Sequence, residues 1–259
     1  MYSLVQAYSS FQKKIMILCL DAGNTRFKCG VHDGQKWHMQ RAFEYDALSG
    51  LANLLPALLP LVPRQIMACN VAGSTIRLKI ERLAQQLTSP LTWLESTSAC
   101  CGVRNGYDRP AQLGADRWAG LIATRALSSE ASIVVLAGTA TTIDLLDAEG
   151  VFRGGLILPG LTLMRRSLAS NTDQLPDVFD VSGHLHELPK NTNDAITSGA
   201  LHATLGAIER MRLSHGVARC ILSGGAAADL LPYLAVPTQR IDYLVLEGLL
   251  QVANASAPA

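Results

Sequence analysis

One short plan is written twice in this chain, and it limits the folds open to it. Leu20-Asp21-Ala22-Gly23 and Val135-Leu136-Ala137-Gly138 stand 115 positions apart, each closing an apolar run and opening a loop of small or hydroxyl-bearing residues. A short apolar run that stops at a polar turn is the pattern of a buried strand, because a central strand is covered on both faces. Strand-forming residues follow in both copies, and Asp33-Gly34 finds a near-counterpart in Glu149-Gly150 at an offset of 116. Two halves on one α/β plan are therefore expected. With 259 residues in all, each half has room for a core of its own.

In chain order, Ile15–Leu20 reads as a buried strand, Arg26–Val31 as a second and Trp37–Phe43 as a third beyond the Asp33-Gly34 turn. A helix is expected from Asp46, limited by Pro56 and Pro60, and then a short strand at Gln65–Cys69. Ser74 is the expected cap of a helix over Thr75–Leu87, in which Ile76, Ile80, Leu83 and Leu87 share one face. Leu91–Leu94 reads as another strand. In the second half, Pro159-Gly160 leads into a helix whose Arg165-Arg166 pair reads as a solvated face, and Leu175–Pro189 reads as a loop or flap. Thr192 or Asn193 is the expected cap of a long helix carrying Ala195, Ile196, Leu201, Leu205 and Ile208. Ala218–Leu222 reads as a strand entering Ser223-Gly224-Gly225-Ala226, and a last helix begins near Asp242. Residues 1–14 read as a loose extension, 15–127 as a first domain and 128–259 as a second.

Between the repeats lies Tyr107–Gly120. It opens as a loop, since Asn105-Gly106 is a turn pair and Pro110 lacks a backbone donor, and it becomes a helix carrying Trp118, Leu121, Ile122 and Leu127. Asp116 and Arg117 fall near the start of that helix. The helix dipole favours an ionised carboxylate there, able to take a proton from a hydroxyl. On this stretch alone the alternative is a helix-start stabiliser with a solvated Arg117. The two repeat loops, Asp21–Thr25 and Gly138–Thr142, have what a phosphate site needs: glycines that let backbone approach, hydroxyl and amide donors, and an aspartate able to hold Mg2+ directly or through water. Neither has the spacing of a Walker loop or of the dinucleotide-binding fingerprint.

Taken together, Asp21-x-Gly-Asn-Thr25, Tyr107-x-x-Pro110, Leu113-Gly114-x-Asp116-Arg117, Gly138-Thr-Ala-Thr-Thr142 with Asp144, and Gly154-Gly155-x-Ile157-x-Pro159-Gly160 resemble the type III pantothenate kinases. The resemblance implies two duplicated ribonuclease H-like domains, of the actin-like ATPase kind, with a cleft between them. It implies ATP with Mg2+ as the phosphoryl donor and pantothenate as the acceptor. Asp21, Ala22, Gly23, Asn24, Thr25, Arg26, Phe27, Lys28 and Thr139 would bind ATP, with Asp21 serving Mg2+, and Ser223–Ala226 would lie near the nucleoside. Tyr107, Gly114, Ala115, Asp116, Arg117 and Thr192 would hold pantothenate, with Asp116 as general base. Arg117 would face either the pantothenate carboxylate or a phosphate oxygen. The family also implies a homodimer and activation by K+ or NH4+. Many relatives carry an aspartate two residues before the second Gly-Thr to help bind that cation; this chain has Leu136, which offers no oxygen. The alternatives are a kinase for another small-molecule hydroxyl and a non-catalytic accessory factor for transcription.

A net charge of +1 supplies no field for nucleic acid or an anionic membrane, so neither partner is expected. The cysteines Cys19, Cys29, Cys69, Cys100, Cys101 and Cys220 form no Cys-x-x-Cys pair, which suits a reduced cytoplasm. Cys100-Cys101 reads as packing, with redox use as the alternative.

Overall fold

In the computed structural model, residues 16–50, 63–171 and 185–256 are described. The chain divides into two compact units: one runs to Glu95 and takes in Gly114–Ala119 and the chain from Val245 onward, and the other holds Ser96–Leu113 and Gly120–Leu244.

The first unit is built on a five-stranded sheet. Its strands are β1 (Ile17–Ala22), β2 (Phe27–His32), β3 (Trp37–Phe43), β4 (Gln65–Asn70) and β5 (Leu91–Trp93), in the order β3-β2-β1-β4-β5. β1 is buried at every residue and sits centrally, antiparallel to β2 and parallel to β4, as its unbroken apolar run requires. Helix α1 (Ser74–Gln86) covers the sheet with Ile80, Leu83 and Ala84. Each of its large buried side chains contributes about 1.5–3 kcal/mol over an exposed one. Its cap is Gly73 rather than the expected Ser74, and no side chain bonds there, because Gly73 turns the chain at φ 89°. From Tyr45 to Gly50 the chain forms a 3-10 helix; the rest of the helix expected from Asp46 lies outside the described residues.

A seven-stranded sheet carries the second unit. β6 (Ala99–Cys100), β7 (Val103–Asn105), β8 (Ser132–Ala137), β9 (Ala140–Leu146), β10 (Val151–Pro159), β11 (Arg219–Ser223) and β12 (Thr238–Arg240) run in the order β12-β11-β8-β9-β10-β7-β6. Between β10 and β12 this repeats the first sheet strand for strand: β8 is antiparallel to β9 and parallel to β11, as β1 is to β2 and β4. The duplication seen in the sequence is thus a duplication of topology. Helices α2 (Ala115–Leu127), α3 (Leu161–Asn171), α4 (Thr192–His215), the four-residue α5 (Ala227–Leu230) and α6 (Leu244–Ala255) complete the described fold.

α4 buries Ile196, Ala200, Leu201 and Ile208 and ends at Gly216 in the left-handed conformation. Its cap is Asn191, whose side chain accepts from the Asp194 amide at 2.9 Å; Thr192 is already the first helical residue. Arg165 on α3 departs further from expectation. It is 2% exposed, with Nε and Nη1 unbonded and Nη2 donating to Thr162 at 3.3 Å; burial lowers its pKa, and the charge of Asp229 opposes that only in part. A long side chain whose stem faces a core can bury its head, and periodicity does not reveal which of two adjacent arginines does so. Of the expected loop Leu175–Pro189, only the part from Leu185 is described. α6 returns to the first unit, where Gly248 lies so close to α2 that a Cβ would stand 1.9 Å from the Ala119 carbonyl.

Candidate active site

In the first unit, Asp21 is the penultimate residue of β1 and is 1% exposed. Register explains its partners. Asp21 is opposite Lys28 on β2 and opposite Cys69 on β4. Lys28 Nζ donates to Asp21 Oδ2 at 2.7 Å and the Cys69 thiol to Oδ1 at 3.6 Å. Burial opposes the charge on Lys28, but the Asp21 carboxylate outweighs it and the ammonium is held above its ordinary value. Burial, Asp21 and Asp116 push the Cys69 thiol far up, so it remains a donor. Cys69 was missed as a site residue in the sequence, because only the parallel pairing of β1 with β4 brings position 69 to position 21.

The β1–β2 loop separates structural from available residues. Ala22 and Phe27 are buried, with Phe27 stacked on Phe43 at 5.3 Å, so they have only backbone to offer a ligand. Asn24, Thr25 and Arg26 are exposed, and Arg26 pairs with Glu44 at 2.7 Å. The Tyr45 hydroxyl donates to the Gly23 carbonyl and pins the loop.

Asp116 belongs to the same unit, in the first turn of α2. Its Oδ1 accepts from the Arg117 amide at 2.8 Å. Burial and then the nearby charge of Asp21 raise its pKa; the Arg117 amide, Lys28 and the Arg117 guanidinium oppose them without prevailing. A carboxylate shifted in that direction is a better proton acceptor at neutral pH than an ordinary aspartate. Gly114 makes the room: a Cβ there would lie 2.6 Å from Asp116 Oδ1. Ala115 opens the helix, and Arg117 is 4% exposed rather than solvated.

In the second unit, glycines bring three loops together around the end of β8. A Cβ on Gly160 would strike the Gly138 carbonyl at 2.1 Å, and one on Gly224, whose φ is 108°, would strike the Ala137 carbonyl at 2.2 Å. The Gly160 amide donates to Thr139 and the Ala226 amide to Ala137. Thr139 is exposed on this small-residue platform. Leu136 occupies the place in β8 that Asp21 occupies in β1, opposite Thr142 and Ser223. Its methyl groups stand 3.5 and 3.6 Å from where a Gly120 Cβ would be. Tyr107 rests on Phe152 at 5.0 Å, in a loop held by Asn105, which donates to the Pro110 carbonyl and accepts from the Tyr107 amide. Thr192 is exposed at the start of α4. The structure thus gathers Asp21, Lys28, Gly114, Asp116 and Arg117 in one unit, and Tyr107, Thr139 and Thr192 in the other.

The type III pantothenate kinase family model matches residues 17–213, most of the chain. This chain belongs to the type III pantothenate kinase family. The type III pantothenate kinase of Aromatoleum aromaticum is 48% identical over 247 residues, covering 94% of this chain and 100% of the relative. Among solved structures, a Campylobacter jejuni protein described as a candidate Baf family transcriptional activator superposes with a TM-score of 0.63 at 19% identity, covering 92% of this chain and 98% of that one. The ROK hexokinase of Thermus thermophilus gives 0.53 at 14%, covering 93% and 99%. Those likenesses establish the two-domain, ribonuclease H-like fold of this type III pantothenate kinase family member, in accord with its duplicated sheets.

Proposed function

We propose that the chain transfers the γ-phosphoryl group of ATP to the primary hydroxyl of pantothenate, giving 4'-phosphopantothenate, the first step of coenzyme A biosynthesis. Membership of the family supports the substrates. The observation that carries the chemistry is the half-buried carboxylate of Asp116 in the first turn of α2, where burial and then the charge of Asp21 raise its pKa. In this reading Asp116 takes the hydroxyl proton as the oxygen attacks phosphorus. Arg117 holds an anion of the acceptor or of the transferring group, and Tyr107, Gly114, Ala115 and Thr192 complete the acceptor site. Residues Asp21 to Lys28 and Thr139 hold the phosphates, chiefly through backbone amides where the side chains are buried.

Mg2+ when bound would offset the charge of the phosphates. Asp21 suits it through water, since its two oxygens already accept from Lys28 and Cys69 and Mg2+ keeps much of its own hydration. A monovalent cation does not fit beside Leu136, whose side chain brings carbon where an oxygen is needed. No observation favours a non-catalytic regulator, as Asp21, Lys28 and Asp116 are intact. Among the described residues no helix is long and apolar enough to cross a membrane, and cytoplasmic residence is part of the proposal.

The test is ATP consumption with and without pantothenate, with the product identified by mass. Consumption independent of pantothenate, or a product lacking the added phosphate, would reject the assignment.

A further inference from the structure

The hairpin from β6 to β7 turns on Cys101 and Gly102, whose φ angles are 46° and 77°. A two-residue hairpin turn with both central φ positive is best filled by Asn-Gly, and a cysteine at its first position is strained. Strain kept at one residue is a reason to ask what that residue does. Cys100 Sγ lies 3.5 Å from Cys101 Sγ, and both residues are partly exposed, whereas Cys19, Cys29, Cys69 and Cys220 are buried.

The pair is poorly suited to a disulfide. Adjacent Cα atoms are about 3.8 Å apart across a trans peptide, short of the roughly 4.4–6.8 Å that disulfides span. One atom bridging both sulfurs meets no such limit. Thiolate bonds of about 2.3 Å, the length made to zinc, with an angle near ~100° between them hold two sulfurs about 3.5 Å apart. Zinc itself wants four ligands, and among the described residues no group of three or more potential metal ligands exists.

We propose that Cys100 and Cys101 form a bidentate dithiol site for a single three-coordinate, thiophilic centre, with trivalent arsenic as the chemical type. With an organoarsenic oxide, two S–As bonds form and both bonds from arsenic to oxygen break. The two thiol protons leave with that oxygen as water, and nothing is oxidised or reduced. Burial and the hydrogen bond shared with Cys100 push the Cys101 thiol up to about 11, so it is a poor target for simple alkylation. The second S–As bond is closed within one molecule, where the effective concentration of the partner thiol is high.

Phenylarsine oxide and intact-protein mass spectrometry test this. One phenylarsenic adduct, less two protons, is expected on the full chain; it should survive excess 2-mercaptoethanol and be removed by 2,3-dimercaptopropanol. Cys101→Asn supplies the preferred Asn-Gly turn and should fold at least as well by thermal melting, yet lose the resistant adduct, as should Cys100→Ser. A resistant adduct in either folded variant, or a native adduct stripped by the monothiol, would overturn the proposal.

Discussion

Substituting Gly114 by Ala tests whether the position of the Asp116 carboxylate matters to turnover. The added Cβ would meet Asp116 Oδ1 at 2.6 Å, while ordinary contact begins at 3.4 Å, so the carboxylate must retreat by about 0.8 Å. Gly114 is not among the glycines of positive φ, so alanine brings no backbone strain that would confuse the result. A misplacement near 1 Å costs on the order of 10²-fold in rate, and kcat should fall by about that factor. The retreat also lengthens the 2.8 Å bond from the Arg117 amide, which favours the ionised form. The acidic limb of the pH profile of kcat/KM should therefore move to higher pH. The nucleotide loop from Asp21 to Lys28 is untouched, and KM for ATP should stay put. The assay couples ADP formation to NADH oxidation at saturating pantothenate, with the melting temperature as a check on folding. A folded variant with kcat within about threefold of the native protein and an unmoved acidic limb would refute the argument.

Asp116→Asn should lose roughly 10²-fold or more in turnover while keeping ATP binding. It should also be more stable at neutral pH. The raised pKa of Asp116 means that its contribution to stability is present below the unfolded value of about 3.9 and is lost as pH rises through the folded value, so the variant's melting temperature should decline less over that window. Turnover should depend little on K+, and a several-fold rise from KCl but not NaCl at constant ionic strength would show that Leu136 is no obstacle. A homodimer is expected by light scattering at assay concentration, and an active monomer would exclude it. Ile196, Ala200, Leu201 and Ile208 of α4 are already buried in its own unit, so the exposed Leu156 and Ile157 on β10, with Leu163 and Leu168 on α3, are the surface to cover.

Features that depend on near neighbours in the chain were legible without coordinates. The apolar runs ending at Asp21 and Leu136 gave the central strands, their shared plan announced the duplicated topology, and Pro110 with Asn105-Gly106 placed Asp116 in the first turn of a helix. Each follows from local dihedral preference or from side-chain period. What joins distant positions was not legible. Cys69 comes to Asp21 through the parallel register of β1 with β4, Arg165 is buried while Arg166 beside it is exposed, and the chain from Val245 returns to the first unit. Gly114 stood in the family motif, but its purpose, leaving space for the Asp116 carboxylate, appears only when the Cβ is built. Sequence alone settled which residues carry charge, hydroxyl or flexibility. Tertiary structure decided which charges are buried together, and a carboxylate's basicity is set by the water it loses and the charges it is packed beside, neither of which has a fixed spacing along the chain.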